Sequence, residues 1–314
     1  MTVEEKIKAK ALELGFDAVG ITTAKPLEGE KRYFEKWLAA GNAGQMGYLG
    51  RNVEKRFAPV KLMPGARSVI VCGLSYKVPE LARPAGDGHY LRISDYALFT
   101  DYHVFIKRML SELAEYVQQV TGSGKFKVCV DSVPLAERAL AARAGVGFIG
   151  RNHQLISPRL GGQIFLGEII TAADLKPDAL VEQGCGDCRR CLDACPTGAL
   201  SEAGFDARKC VSYLTIECRE PIPRDLEPGI GNRLFGCDEC VLSCPYNQRA
   251  PLRSNGHLAF YPQRAWVKAE YVLEMGEDEF ARHFGGSCLE RMGLGKLKET
   301  ARICLANLKA NEGK

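Results

Sequence analysis

The sequence predicts an α/β domain over residues 1–175, then a small cysteine-rich module over 176–255 and a short α-helical tail over 256–314. Three observations predict it. Strands alternate with amphipathic helices in the first segment, which implies layered α/β packing. Nine of the 13 cysteines (Cys185, Cys188, Cys191, Cys195, Cys210, Cys218, Cys237, Cys240, Cys244) crowd into the second. In the third, Leu297, Ala301, Cys304, Leu305 and Leu308 mark one apolar helix face that needs a partner.

The elements follow in chain order. Thr2 with Glu5 spells a capping box, and Val3, Ile7, Ala11 and Leu14 repeat at near-helical spacing until Gly15. FDAVGIT and the β-branched run SVIVCGLSY (68–76) read as strands. HVFIKRMLSELAEYVQQV (103–120) puts Phe105, Met109, Leu113, Tyr116, Val117 and Val120 on one helical face. FKVCVDS (126–132) reads as a strand, PLAERALAARAG as a helix opened by Pro134, and QIFLGEIIT as a further strand. After Asp178 prolines, glycines and short helical pieces take over, so that module needs a metal to hold it together.

Composition excludes several classes. With 46% apolar and 25% charged residues the chain is neither disordered nor collagenous nor a coiled coil. No apolar run approaches a membrane span, and MTVEEKIKAKALELG has acids where an export signal needs an apolar stretch, so an unexported cytoplasmic protein is expected. A net charge of +4 does not by itself announce a nucleic-acid binder. The basic excess lies mainly beyond Cys288, where Arg291, Lys296, Lys298, Arg302, Lys309 and Lys314 outnumber Glu290, Glu299 and Glu312. That tail reads either as a solvated helix face or as a contact for a polyanion.

The cysteine spacing is the sharpest signal. Cys185, Cys188, Cys191 and Cys195 before Pro196 spell C-x2-C-x2-C-x3-C-P, the bacterial ferredoxin run that binds four-iron four-sulfur cubes. Four thiolates packed so tightly suit a cube better than a zinc tetrahedron built from two separated knuckles. Disulfides are disfavoured by the odd cysteine total and by a reducing compartment. A second run, Cys237, Cys240, Cys244 and Pro245, has Leu234 where its first cysteine would stand. By the crossover rule Cys244 completes the cube of Cys185, Cys188 and Cys191, while Cys195 joins Cys237 and Cys240. The eighth thiolate is then Cys210 or Cys218, and spacing does not choose between them.

Two such cubes relay single electrons, and with every iron ligated by protein the chemistry must happen elsewhere. The first segment has no Walker motif and no G-x-G-x-x-G after a strand. Its most distinctive stretch is residues 131–171, where Asp131 leaves a strand just before a helix and Gly-rich turns follow. Taken alone, Asp131 reads more simply as a helix cap.

DSVPLAERALAARAGVGFIGRN, GCGDCRRCLDACPTGAL, CVSYLTIE and IGNRLFGCDECVLSCPYN, in that order, resemble the epoxyqueuosine reductases, cobalamin-dependent iron–sulfur enzymes of queuosine synthesis in tRNA. The resemblance implies a cobalamin bound over the α/β domain, with Arg56, Asp131, Asn152, Gly161, Gly162 and Ser212 as its contacts. It makes Asp131 the catalytic proton donor and Cys210 the eighth cluster ligand, leaving Cys218 a spare thiol. It further implies a ferredoxin-like double-cluster domain, a tRNA substrate, an external low-potential electron donor and a monomer. The chain departs from the family where Leu98, Phe99 and Thr100 precede Asp101-Tyr102-His103, and where Tyr246 replaces a Trp. Many relatives also continue into a longer HEAT-like domain.

The implied reaction removes the epoxide oxygen at the wobble base with two electrons and two protons. An unperturbed aspartic acid titrates near 3.9, so Asp131 is expected to be raised strongly by burial if it is to donate at neutral pH. His103 is a conceivable cobalt ligand, though a His near a helix start is more simply a cap. Lys296, Lys298 and Arg302 are expected to meet tRNA phosphates. The alternatives are a cobalamin-dependent reductive dehalogenase, a ferredoxin-like electron carrier and a thiolate-zinc module.

Overall fold

In the computed structural model residues 1–256 and 258–312 are described. The predicted capping box forms at the start: Thr2 Oγ1 accepts from the Glu5 N–H at 3.2 Å and Glu5 Oε2 accepts from the Thr2 N–H at 2.8 Å. It opens helix α1 (Val3–Glu13), which buries Ile7 and Ala11. Strand β1 (Ala18–Thr23) follows, then β2 (Ser68–Ser75) and β3 (Tyr90–Ile93). Helix α2 (Tyr102–Thr121), strand β4 (Phe126–Cys129), helix α3 (Glu137–Arg143) and strand β5 (Ile164–Thr171) complete the first segment.

The main sheet runs β1-β2-β5-β4 with every pair antiparallel, in a register that sets Ile21 opposite Ile70 and Ile70 opposite Ile169. All eight residues of β2 are buried, because the period of two sends side chains to a covered face in both directions. Ile70, Cys72 and Leu74 meet α1 and α2 through Ile7, Ile106 and Leu110. Val69 and Val71 on the opposite face meet α3 through Leu140 and Ala141. Helix, sheet and helix thus form three layers.

Some boundaries differ from the sequence pattern. The face of α2 that is buried consists of Ile106, Met109, Leu110, Leu113, Ala114 and Val117, with Phe105 and Tyr116 only half-buried beside it. Strand β4 stops at Cys129, short of Asp131, and α3 begins at Glu137 instead of Pro134 because a tight turn, Leu135 N–H to Val133 O at 2.7 Å, intervenes.

A second sheet was invisible in the sequence. Strand β6 (Arg233–Phe235) pairs parallel to β3, and strand β7 (Trp266–Lys268) pairs antiparallel to it. One strand comes from each of the three sequence segments, so the sheet sews them together. Helix α4 (Ala269–Glu274) and the final helix α5 (Leu294–Glu312) pack on each other, and α5 also packs on β6. The apolar face of α5 finds its partner there, with Leu297, Ala301 and Cys304 fully buried.

The basic tail needs a correction. Lys296 is only 9% exposed, and its Nζ lies 3.2 Å from Glu299 Oε2, so it faces the protein and not a phosphate. Arg302 and Lys309 are exposed and Lys298 half-buried, whereas Lys314 lies outside the described residues. Among the described residues no helix is long and apolar enough to cross a membrane.

Gly20 of β1 tests the layer packing. A Cβ there would sit 2.1 Å from the Ala144 carbonyl oxygen at the end of α3. Backbone cannot swing aside as a side-chain tip can, so Gly20→Ala is expected to cost about 1–3 kcal/mol of stability in chemical denaturation. An unchanged midpoint would mean that α3 does not press on the sheet.

Candidate active site

The cysteine-rich segment brings its thiols into two groups. Cys185, Cys188, Cys191 and Cys244 line one recess enclosing about 370 Å³, part of it open solvent, together with Arg151, Asn152 and Tyr246. Cys210 faces Cys195, Cys237 and Cys240 instead. Cys218 is in neither group: it is buried, and its Sγ donates to the Glu220 carbonyl at 3.4 Å. The thiols of Cys185, Cys188, Cys191 and Cys244 ring the recess. That arrangement suits a multi-iron cluster better than zinc.

Local hydrogen bonds hold the sulfurs. The Arg151 N–H donates to Cys185 Sγ at 3.4 Å, and the backbone N–H groups of Ser212 and Tyr213 address Cys210. Burial pushes the Cys237 thiol up to about 12 and raises Cys210 and Cys191, so metal would have to displace these protons on binding. Tyr246, which also lines the recess, donates to the Gly184 carbonyl at 3.1 Å.

Asp131 lies in the turn between β4 and α3 with φ +40°, a left-handed conformation that costs a non-glycine residue about 1–3 kcal/mol and collects at functional sites. Its carboxyl side chain is 49% exposed. His103, in the first turn of α2, brings Nε2 to 3.0 Å from Asp131 Oδ2, and its Nδ1 meets Asp101 Oδ1. Asp101 also accepts from the His103 N–H at 3.0 Å, so the helix cap orients the ring. Tyr102 stacks on Phe165 with centroids 4.2 Å apart and fixes the start of the helix. Arg56 and Arg291 add positive charge around Asp131, and Tyr48 stands near both arginines.

The electrostatics reverse the expectation for Asp131. Its carboxyl is held below the usual 3.8, first by the hydrogen bond to His103, which outweighs the opposing effect of burial. His103 in turn is raised above 6.5, first by Asp131. The raised carboxyls lie behind it. Glu137, whose Oε1 accepts the Asp131 backbone N–H at 2.6 Å, is pushed up to about 7 by burial. Glu168, on β5 and fully buried, is pushed well above the usual range for the same reason.

The other residues expected around a cofactor are dispersed. Arg56 Nε is buried with no partner among the described residues, and the guanidinium lies over the Phe34 ring at 5.8 Å. Asn152 is committed to the cysteine module: its Nδ2 donates to the Cys240 carbonyl at 3.1 Å and its Oδ1 accepts from the Gln154 N–H. Gly161 adopts φ +73°, and a Cβ on it would lie 2.7 Å from Asn247 Cα, while the Gly162 N–H donates to Asn247 Oδ1 at 3.1 Å. Ser212 is half-buried at the start of the helix Val211–Ile216. Sequence reasoning passed over Glu137 and Glu168 and took His103 chiefly for a cap. The available signal was Glu168 itself, the only charge in an otherwise apolar strand.

Comparison with known proteins gives a consistent neighbourhood. The family described as 4Fe-4S double cluster binding domain matches residues 184–247, and the one described as epoxyqueuosine reductase QueG, DUF1730 matches residues 56–132. The chain is 38% identical to an epoxyqueuosine reductase of Pseudomonas aeruginosa over 96% of its own length and 85% of that protein. It is 37% identical to the one of Escherichia coli, covering 96% and 80%. A solved epoxyqueuosine reductase with an epoxyqueuosine-modified tRNA-Tyr stem loop superposes with a TM-score of 0.90 at 30% identity, over 98% of this chain and 82% of that one. The structure from Streptococcus thermophilus gives 0.89 at 32% identity, again over 98% and 82%.

The His103–Asp131 pair makes a pH-dependent contribution to stability. A raised His contributes fully below 6.5 and loses its contribution as pH climbs through its raised value. A lowered Asp contributes above 3.8 and loses its contribution as pH falls through its lowered value. His103→Gln is therefore expected to cost most between those limits and less at alkaline pH. Solvent screening at a half-exposed carboxylate limits the loss to about 0.5–1 kcal/mol. Denaturant titrations across pH measure this, and a cost that grows on the alkaline side would refute the pairing.

Proposed function

The chain belongs to the epoxyqueuosine reductase family, and from that membership we propose that it reduces epoxyqueuosine to queuosine at the wobble position of tRNA. The overall change is epoxide plus two electrons plus two protons to alkene plus water. The observation that carries the reading is the Asp101–His103–Asp131 chain, a half-exposed carboxyl backed by a proton-bearing imidazole, in the same molecule as two sets of four thiols.

Cys185, Cys188, Cys191 and Cys244 hold one four-iron four-sulfur cube in this reading, and Cys195, Cys210, Cys237 and Cys240 hold the other. An external low-potential donor feeds them singly. Cobalamin fits beside Asp131 in one respect, since the orphaned, buried Arg56 Nε needs a partner there. Gly161 and Gly162 fit it less well, because Asn247 already fills the space a cradle would need. When bound, the corrinoid supplies a strongly reducing cobalt centre. Asp131 passes the proton of its His103 pair to the departing oxygen, and Arg56 and Arg291 add positive charge beside the carboxylate. Exposed Arg302 and Lys309 contribute to phosphate attraction, and the chain works as a monomer in the cytoplasm.

Two measurements test this. Asp131→Asn keeps the shape and removes the acid, so turnover on modified tRNA should fall by about 10²-fold or more while corrinoid still binds. Near-normal turnover would return Asp131 to the role of a turn residue. Anaerobic protein should carry about eight irons and eight labile sulfides. Cys210→Ala should degrade one cube and Cys218→Ala neither, and the opposite result would overturn the ligand assignment.

A further inference from the structure

Beneath the Asp131 turn lies a carboxyl group that the reaction as written does not use. Glu168 is 0% exposed in the middle of β5, and both of its carboxyl oxygens are buried with no donor in reach among the described residues. In the sheet register it stands opposite Cys129, two residues before Asp131, and opposite Val71 on the other side. The group set against it is the Glu137 carboxyl from α3. A buried carboxylate without a donor is costly, and two adjoining carboxyls can bond only through a proton held between them. Glu137 has a second task, since its Oε1 accepts the N–H of Asp131 at 2.6 Å while that residue sits at φ +40°.

We propose that Glu137 and Glu168 share one proton, and that this shared proton clamps Asp131 in its strained working position. The proposal rests on the reading of Asp131 as the proton-delivering group and makes the pair positioning residues. With the proton present, Glu168 donates to Glu137, and Glu137 turns its remaining oxygen to the Asp131 N–H. Without it, two carboxylates repel inside the sheet, with the Asp131 carboxylate as a third negative charge nearby, and the clamp opens. Cations surround the cluster without donating to Glu168: Arg138 stands beside Glu137, Arg56 faces both Glu137 and Asp131, Arg291 and His103 face Asp131, and Tyr102, Tyr48, Cys129 and Cys72 are further titratable neighbours. Burial raises both glutamates, as the sharing requires, and the pair titrates as a unit.

Glu168→Gln separates a shared proton from a merely polar contact, because its amide N–H offers Glu137 a hydrogen that pH cannot remove. In the whole chain, the infrared stretch of a protonated buried carboxyl should be present in the wild type at neutral pH, vanish in Glu168→Gln, and move to higher frequency in Glu137→Gln, where the buried Glu168 keeps its proton but loses the carboxylate that accepts it. Exchange of the Asp131 amide, corrected for its intrinsic pH dependence, should accelerate roughly tenfold as the wild-type chain is taken well above pH 7, the loss of one charged hydrogen bond. In Glu168→Gln it should stay flat, and the alkaline limb of turnover should flatten with it. No protonated-carboxyl band at neutral pH, or identical exchange curves for wild type and Glu168→Gln, would overturn the proposal. If Glu168→Gln does not fold, the band in the wild type and its shift in Glu137→Gln still decide, and an unshifted band would overturn the sharing. Failure here leaves the chemistry of Asp131 standing, whereas an active Asp131→Asn would sink that chemistry and leave the pair intact.

Discussion

A buried chain of hydrogen bonds fastens the cysteine-rich segment to the main sheet. The Gly162 N–H donates to Asn247 Oδ1, Asn247 Nδ2 donates to Gln163 Oε1, Gln163 Nε2 donates to Asp95 Oδ2, and the Asp95 N–H donates to Asp238 Oδ2, each at 2.8–3.1 Å. Asp238 lies between Cys237 and Cys240, and Asn247 follows Cys244 by three residues. Both thiol groups are therefore indexed to the edge of β5, the strand that carries Glu168 and pairs with the strand leading to Asp131. Asp95 is buried and Asp238 half-buried, and desolvation beside Asp95 pushes Asp238 up to about 6, while Arg92 offsets part of the charge. Such networks reward completeness, since stripping out one member leaves a buried charge or an empty donor.

That fastening explains why the three sequence segments are not three independent bodies. The continuous core runs from Ile7 through Leu234 and Phe235 to Leu297 and Cys304, and the β6-β3-β7 sheet draws one strand from each segment. Rigidity between the thiol recess and the Asp131 turn is what a reaction of two electrons and two protons requires, because electrons pass only over short, fixed gaps while protons need hydrogen-bond contact.

What the sequence revealed and what it hid follow from range. The cluster cysteines were legible because C-x2-C-x2-C-x3-C-P encodes its geometry within 11 residues, and the capping box of α1 because Thr2 and Glu5 meet within one turn. The β6-β3-β7 sheet was not legible, since strands of three and four residues carry almost no periodic signal and pair across more than 140 positions. His103 and Asp131 are 28 positions apart and joined only by packing. Lys296 was misread because charge suggests exposure until the orientation of the helix is known. The raised Asp131 was wrong for a related reason: burial acts generically, but a single imidazole at 3.0 Å acts specifically and overrides it.

The lowered carboxyl of Asp131 does not weaken its case as the proton-delivering group. A free aspartic acid must hold its own proton in advance, and at neutral pH that would demand strong desolvation. A carboxylate hydrogen-bonded to an imidazolium needs no such preparation, because the proton is already in the bond between them and moves only when a more basic atom arrives. An oxygen leaving a reduced epoxide is far more basic than either partner. In this reading His103 backs the carboxylate, Asp101 holds the ring in place, and Asp131 keeps its carboxyl half-exposed. The strain at φ +40° belongs to the same logic: a relaxed turn would not hold Asp131 between His103 and the Glu137 carboxyl at once, and only the two hydrogen bonds together over-determine the position.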